Sequence, residues 1–270
     1  MVKARPAFAL ACVALTVTVA QACARQPTAS PSAPPSHAVI TASRPASPSQ
    51  AVTAGPADWM TIGNSLRGRP IRMRKLGHGP RTVLFIGGIH GDEAEGAAAT
   101  AALPDAFTVA GLDDAVSLFV IEDANPDGRA AATRENANGV DINRNFPAKN
   151  FDPANPAGGG APINQPETRA VVETVDRIAP QLVIIVHSWK DQEFINFNGS
   201  AHAVAERFST ASGLPLKASV EFAPTPGSLG SYVGRDRGIP VLTIEFRKGS
   251  DPEKDWLRIR EALLQACRGD

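Results

Sequence analysis

The feature that most constrains the fold is an apolar run that ends in paired glycines and then in charged residues. Thr82-Val83-Leu84-Phe85-Ile86 is followed by Gly87-Gly88-Ile89-His90-Gly91-Asp92-Glu93. The run is short, rich in β-branched residues and stopped by glycines, so it reads as a buried strand feeding a tight turn. In open α/β sheets, ligands bind beyond the carboxyl ends of the strands, where His90 and Glu93 fall, close enough to turn toward one point. An imidazole and a carboxylate there suit zinc. A tetrahedral catalytic site takes three protein ligands and a water, so another part of the chain has to supply one more. Read alone, His-x-x-Glu is more often a surface pair at a helix start than a metal site.

The rest of the chain alternates strands with helices. Ile71 to Leu76 alternates apolar with basic residues like an edge strand, and Val116 to Ile121 is a further strand. Leu182 to Val186 reads as a second buried strand ending at His187, and Pro240 to Ile244 as the last, ending at Glu245. Helices are expected over Glu93 to Leu103, stopped by Pro104, over Pro166 to Ile178 and over Ala201 to Ser212. A closing helix covers Pro252 to Ala266, with Trp256, Ile259, Leu263 and Leu264 on one face. The segment from Asn125 to Pro166 is a long loop with only a short strand or turn around Val140 to Asn143. Loops of that length inside compact domains are usually functional. Pro226 to Tyr232 is a glycine-rich turn into a short helix. The pattern predicts an α/β sandwich.

Three buried strands thus end in His90 with Glu93, in His187 and in Glu245. His187 alone needs only a hydrogen-bond partner to be an ordinary core histidine. Joined to His90 and Glu93 it completes a His2Glu set with an open position, the arrangement of hydrolytic zinc enzymes. A carboxylate at Glu245 must be paired or used, because burying it bare is expensive. As a general base it takes a proton from the zinc-bound water and returns it to a leaving amine; structurally it could pair with an arginine instead. Arg134, Asn143 and Arg144, in the long loop, form a candidate anion site. An arginine fork holds a carboxylate, an amide sets its orientation, and a second arginine can stabilise an oxyanion. His37, His78 and His202 read as solvent-facing.

The first quarter of the chain is different. Lys3 and Arg5 precede an apolar stretch from Ala7 to Ala20 and small residues ahead of Cys23, which fits a secretory signal over residues 1–22. At about 14 residues the apolar stretch is short of the ~20 that span a bilayer. A small residue just before Cys23 also resembles a bacterial lipoprotein signal, in which that cysteine is lipidated and attaches the protein to a membrane. Residues 23–57 are rich in Pro, Ser and Ala and cannot bury enough to offset their ordering entropy, so they read as a linker or tether. Residues 58–270 are long enough for one substantial core. The balance of 27 basic and 27 acidic residues argues against a nucleic-acid role. Cysteine usage, Cys23 and Cys267 once the signal is removed, argues against a disulfide framework.

In order, the chain carries His-x-x-Glu, Asn-Pro-Asp-Gly, an arginine before Asp-x-Asn-Arg-Asn, His-Ser and a glutamate ending a late strand. This order resembles the zinc carboxypeptidase superfamily, from about Ile62 to Phe246. Within it the chain looks most like the murein peptide amidase A group, bacterial enzymes that cut the γ-D-glutamyl to meso-diaminopimelate bond of cell-wall peptides. The likenesses are Gly-Ile-His90-Gly-Asp-Glu93, Arg134-x-Asn-Ala-Asn-Gly-Val-Asp-Ile-Asn143-Arg144-Asn-Phe-Pro, Gln-Pro-Glu167-Thr and Thr225-Pro-Gly-Ser-Leu-Gly-Ser-Tyr232. The resemblance implies a mixed, roughly eight-stranded sheet between helices in an α/β/α sandwich. It implies one zinc on His90, Glu93 and His187, Glu245 as the base, Arg134 at the oxyanion, and the substrate carboxylate on Asn143 and Arg144. Two positions depart from the amidases. Gln165 stands where they have glutamate, and His187 is followed by Ser-Trp, as in carboxypeptidases, where the amidases have Asp-Pro. Tyr232, the only tyrosine, does not clearly match the mobile tyrosine of the digestive members, and packing is its simpler role.

These residues imply an exported, periplasmic or cell-surface hydrolase acting on a small cell-wall peptide. Competing readings are a general metallocarboxypeptidase, an aspartoacylase-like N-deacylase, and a non-catalytic wall-binding lipoprotein.

Overall fold

A computed structural model describes residues 59–218 and 225–270. The expected signal, the linker and Cys23 lie outside those residues. Among the described residues, eight strands form one mixed sheet in the order β1-β2-β4-β3-β5-β8-β6-β7. They are β1 (Met60–Asn64), β2 (Pro70–Leu76), β3 (Arg81–Ile86), β4 (Val116–Ile121), β5 (Leu182–Trp189), β6 (Phe194–Asn198), β7 (Leu216–Ala218) and β8 (Val241–Arg247). The helices are α1 (Ala97–Val109), α2 (Pro126–Ala131), α3 (Pro166–Ile178), α4 (His202–Ser212) and α5 (Pro252–Arg268). The centre of the sheet, β4-β3-β5-β8, is parallel, so the carboxyl ends of these strands meet at one edge.

Both faces of the central strands are covered, which is why they read as continuous apolar runs. Val83, Phe85, Ile184, Val186, Leu242 and Ile244 pack in one cluster with residues of α1, α4 and α5. Leu84, Ile86, Val183, Ile185 and Val241 pack on the other face with α3 and the long loop. The two-residue alternation decides the rest. It carries His187 and Glu245 to the face of α3 and the loop, and in the parallel register they stand side by side.

Two expectations are corrected. The strand read as an edge, β2, is the second from the edge, because β1 pairs outside it. The first helix runs from Ala97 and continues through Pro104 to Val109. Proline forfeits one backbone hydrogen bond, but Leu103, Pro104 and Phe107 are all buried, and that packing holds the turn where propensity alone would end it. Residues 93–96 are thereby left outside the helix, free to shape the site. Helices α3 and α5 form where they were expected: Pro166 and Pro252 occupy first turns, and Asp251, not singled out in the sequence, caps α5 by accepting from the N–H groups of Glu253 and Lys254.

The long loop is tied down by buried polar groups. Glu167 is fully buried at the start of α3 and accepts from the N–H of Leu66 at 3.0 Å and from Asn136 Nδ2 at 2.9 Å. Asn136 Oδ1 in turn accepts from the N–H groups of Asn138 and Val140. Gln165 accepts from the amides of Asn136 and Asn138, so this departure from the amidase pattern keeps an acceptor oxygen facing the loop. Asn-Pro-Asp-Gly also has a structural part: Asn125 Oδ1 accepts from the N–H of Gly128 and starts α2, a short helix that was not legible inside the loop.

Candidate active site

The turn after β3 depends on glycine at two places. Gly88 has φ of +66°, and a Cβ there would lie 2.2 Å from Asp123 Oδ1. A Cβ on Gly91 would lie 1.9 Å from the carbonyl carbon of Gly128. This close approach brings the turn onto α2, and Arg129 of α2 donates through Nη1 to the backbone oxygen of Glu93 at 3.1 Å. The turn then presents His90 and Glu93 inward, 3% and 7% exposed.

One carboxylate faces two imidazoles. Glu93 Oε1 lies 2.7 Å from His90 Nδ1, and Oε2 lies 2.9 Å from His187 Nδ1. Donor atoms of His90, Glu93 and His187 lie within 4.8 Å of one another. The outer groups orient this set. Asp141 Oδ1 is 3.2 Å from His90 Nε2, and Oδ2 accepts from Arg134 Nε at 3.0 Å. Arg134 Nη1 also donates to Glu93 Oε1 at 3.2 Å, and the N–H of Ser188 donates to Glu93 Oε2 at 3.1 Å.

The electrostatics are those of a cation site. Burial works against ionising His90, but its hydrogen bonds to Asp141 and Glu93 outweigh that and carry its pKa up to about 9. Burial opposes ionising Glu93 and Asp141 as well, yet His187 and His90 hold Glu93, and His90, Arg134 and Arg144 hold Asp141, well below the usual carboxylate range. His187 moves down, because burial and the neighbouring His90 outweigh its attraction to Glu93. Glu93 and Asp141 are thus anionic on either side of the His90 ring, a charge that a proton on His90 balances here and that a divalent ion on the Glu93 side would balance in its place. Two buried imidazole nitrogens and a carboxylate are a zinc donor set, and a carboxylate on the far nitrogen of a ligating histidine is the usual support for one.

Glu245 lies in the next strand, paired in register with His187, and its Oε2 is buried without a hydrogen-bond partner. Burial and the nearby Glu93 push its pKa up to about 8, against a weaker pull from His90 and Arg134. Of the two readings open for this residue, pairing with an arginine is not what the structure shows. In the zinc-free protein, the folded state holds this proton more tightly than the unfolded chain, so ionisation costs stability increasingly between pH 4.5 and about 8. Glu245→Gln removes that cost. Its melting temperature without zinc is expected to match the wild type near pH 4.5 and to exceed it by several degrees at pH 8.5 and above, measured by thermal unfolding across pH.

Asn143 and Arg144 lie in a 3-10 turn, Ile142–Arg144, started by Asp141. Asn143 Nδ2 is 3.3 Å from His187 Nε2, and its Oδ1 accepts from the N–H of Leu229 at 2.9 Å. Arg144 Nη1 donates to the Asn143 carbonyl, and the side chain is half-buried. The structure therefore brings all the expected residues to one edge of the sheet. His78 and His202 are exposed; His37 lies outside the described residues. The Tyr232 ring stacks on Phe146 at 6.4 Å, and its hydroxyl accepts from Arg237, which also pairs with Asp176. Asp141 was missed as a site residue. Its signal was an acid two positions before Asn143, in the stretch that carries Arg134 and Arg144.

Residues 56–221 match the family model described as zinc carboxypeptidase. The chain belongs to the zinc carboxypeptidase family. It is similar to murein peptide amidase A of Escherichia coli strain K12, 33% identical over 186 residues that cover 63% of this chain and 73% of that protein. Murein peptide amidase A of Vibrio campbellii is 26% identical over 187 residues, covering 60% and 68%. The crystal structure of murein-tripeptide amidase MpaA from Escherichia coli O157 aligns with a TM-score of 0.65 at 27% identity, over 80% of this chain and 93% of that one. Carboxypeptidase A from Helicoverpa armigera shares the fold, with a TM-score of 0.66 at 16% identity over 78% and 68%. This zinc carboxypeptidase relative is accordingly an enzyme, a metallopeptidase of the carboxypeptidase and amidase type. The family's metal, zinc, agrees with the donor set formed by His90, Glu93 and His187.

Proposed function

We propose that the chain is a zinc-dependent amidase that releases meso-diaminopimelate from the γ-D-glutamyl bond of a murein tripeptide. The observation that carries the reading is the buried His90, Glu93 and His187 cluster with the unpartnered Glu245 oxygen in the adjacent strand. In it, His90, Glu93 and His187 would hold one zinc, which when bound would supply a more acidic water, with a pKa of about 7, and a Lewis acid for the carbonyl. Glu245 takes the proton of the attacking water and delivers it to the leaving amine. Arg134 spends one N–H each on Asp141 and Glu93 and keeps further donors for the oxyanion. Asn143 and Arg144 hold the carboxylate beside the scissile amide, with Asn143 oriented by its bond from Leu229.

Similarity to the murein peptide amidases of two bacteria supports the wall peptide as substrate. Export through residues 1–22, with lipidated Cys23 and the linker over 23–57 as tether, brings the domain that follows to the cell surface where that substrate lies. A second reading, a general metallocarboxypeptidase, draws on Ser188-Trp189 after His187, the form seen in carboxypeptidases. The test is kcat/KM of the zinc-loaded protein on L-Ala-γ-D-Glu-meso-diaminopimelate against an ordinary all-L peptide. The amidase reading expects a preference of about 100-fold or more for the first, because a site built around the γ-linked residue leaves polar groups unpaired with the second. Equal or better cleavage of the all-L peptide moves the protein to the general carboxypeptidases.

A further inference from the structure

The turn that carries His90 and Glu93 ends in a carboxylate with no part in the chemistry above. Glu95 is 7% exposed and uses both oxygens: Oε2 accepts from Ser188 Oγ at 2.5 Å, and Oε1 accepts from the N–H of Gly249 at 2.6 Å. Ser188 directly follows His187, and its own N–H reaches Glu93 Oε2. Gly249 lies in the turn that leaves β8 shortly after Glu245. The same turn is fastened at Lys248, whose N–H donates to the Trp189 carbonyl at 2.8 Å and whose ammonium pairs with Asp92. Alternation along β5 places Ser188 with Ile184 and Val186, on the α1 face. Glu95 therefore grips the strand ends from behind, while His187 and Glu245 face the other side.

We propose that Glu95 is a positioning residue that sets the separation between Glu245 and the metal-ligating set, acting through Ser188 and Gly249. The inference rests on the hydrolytic reading of the site. A buried carboxylate is expensive unless both oxygens are engaged. Here both oxygens are engaged with the residue after one ligand and with the turn after the base, from the loop that supplies the other two ligands. Displacements of about 1 Å in such constellations cost on the order of 100-fold in rate.

The hydrogen bonds, not the charge, carry the role. A glutamine can donate to Ser188 Oγ and accept from Gly249, whereas alanine breaks both ties and aspartate is too short to span them. The experiment compares Glu95→Ala, Glu95→Asp and Glu95→Gln for zinc release into a chelator and for kcat and KM at zinc saturation. Alanine and aspartate are expected to release zinc about tenfold faster and to lower kcat about tenfold with little change in KM; glutamine should stay within about threefold of wild type. If the alanine protein does not fold, the aspartate variant decides. Unchanged zinc release and kcat in the alanine or aspartate variant overturn the inference, even with a lower melting temperature. A glutamine variant as impaired as alanine overturns it too, by showing that charge matters. If wild type cleaves no peptide, the functional reading fails, and the zinc-release comparison still decides the role of Glu95.

Discussion

Glu245→Gln is expected to lower kcat by about 10²–10⁴-fold while zinc content and KM stay near wild type. The amide fills the same space in β8 next to His187 but cannot take a proton. Zinc is retained because Glu245 is outside the His90, Glu93 and His187 set. The measurement is steady-state kinetics beside metal analysis of the same preparation. Loss of zinc together with activity would reassign Glu245 to metal binding; full activity would remove it from the chemistry.

The second large effect is at Arg134. Arg134→Met is expected to lower kcat by about 10²–10³-fold, as loss of one oxyanion donor does elsewhere. KM should change less, because the proposed clamp for the substrate carboxylate, Asn143 and Arg144, remains. Arg134 also binds Asp141 and Glu93, whose low pKa values depend partly on positive neighbours. The kinetics therefore belong at saturating zinc, where a fall in kcat reports the lost donor and not a weakened site. A rise in KM alone would make Arg134 a substrate clamp instead of an oxyanion partner.

How much of this could be read from the chain depended on whether a residue's reason was local. β3, β5 and β8 are buried on both faces, so their apolar runs announced them, and His90, His187 and Glu245 were legible as titratable residues at the ends of such runs. β1, β6 and β7 were not. Met60-Thr61-Ile62-Gly63-Asn64 has Gly63 where Ala170 of α3 approaches, and Phe194-Ile195-Asn196-Phe197-Asn198 interleaves asparagines. Both are strands because neighbouring strands pair with them, a cause not written in their own residues. Pro104 misled for the same reason, since the packing of Leu103 and Phe107 lies elsewhere in the sequence. Asp141 was missed despite its place two positions before Asn143, because the His90 it supports is distant in the chain, and Glu95 was invisible because the pair it supports, Ser188 and Gly249, lies on other segments.

The most direct test of the account is mass spectrometry of products formed from L-Ala-γ-D-Glu-meso-diaminopimelate by the zinc-loaded protein in heavy-oxygen water. The account predicts free, unlabelled diaminopimelate and a dipeptide carrying one heavy oxygen in its new γ-carboxylate, both lost when zinc is removed and restored when it is returned. An uncleaved tripeptide under zinc-saturated conditions, or cleavage that persists without zinc, would contradict it.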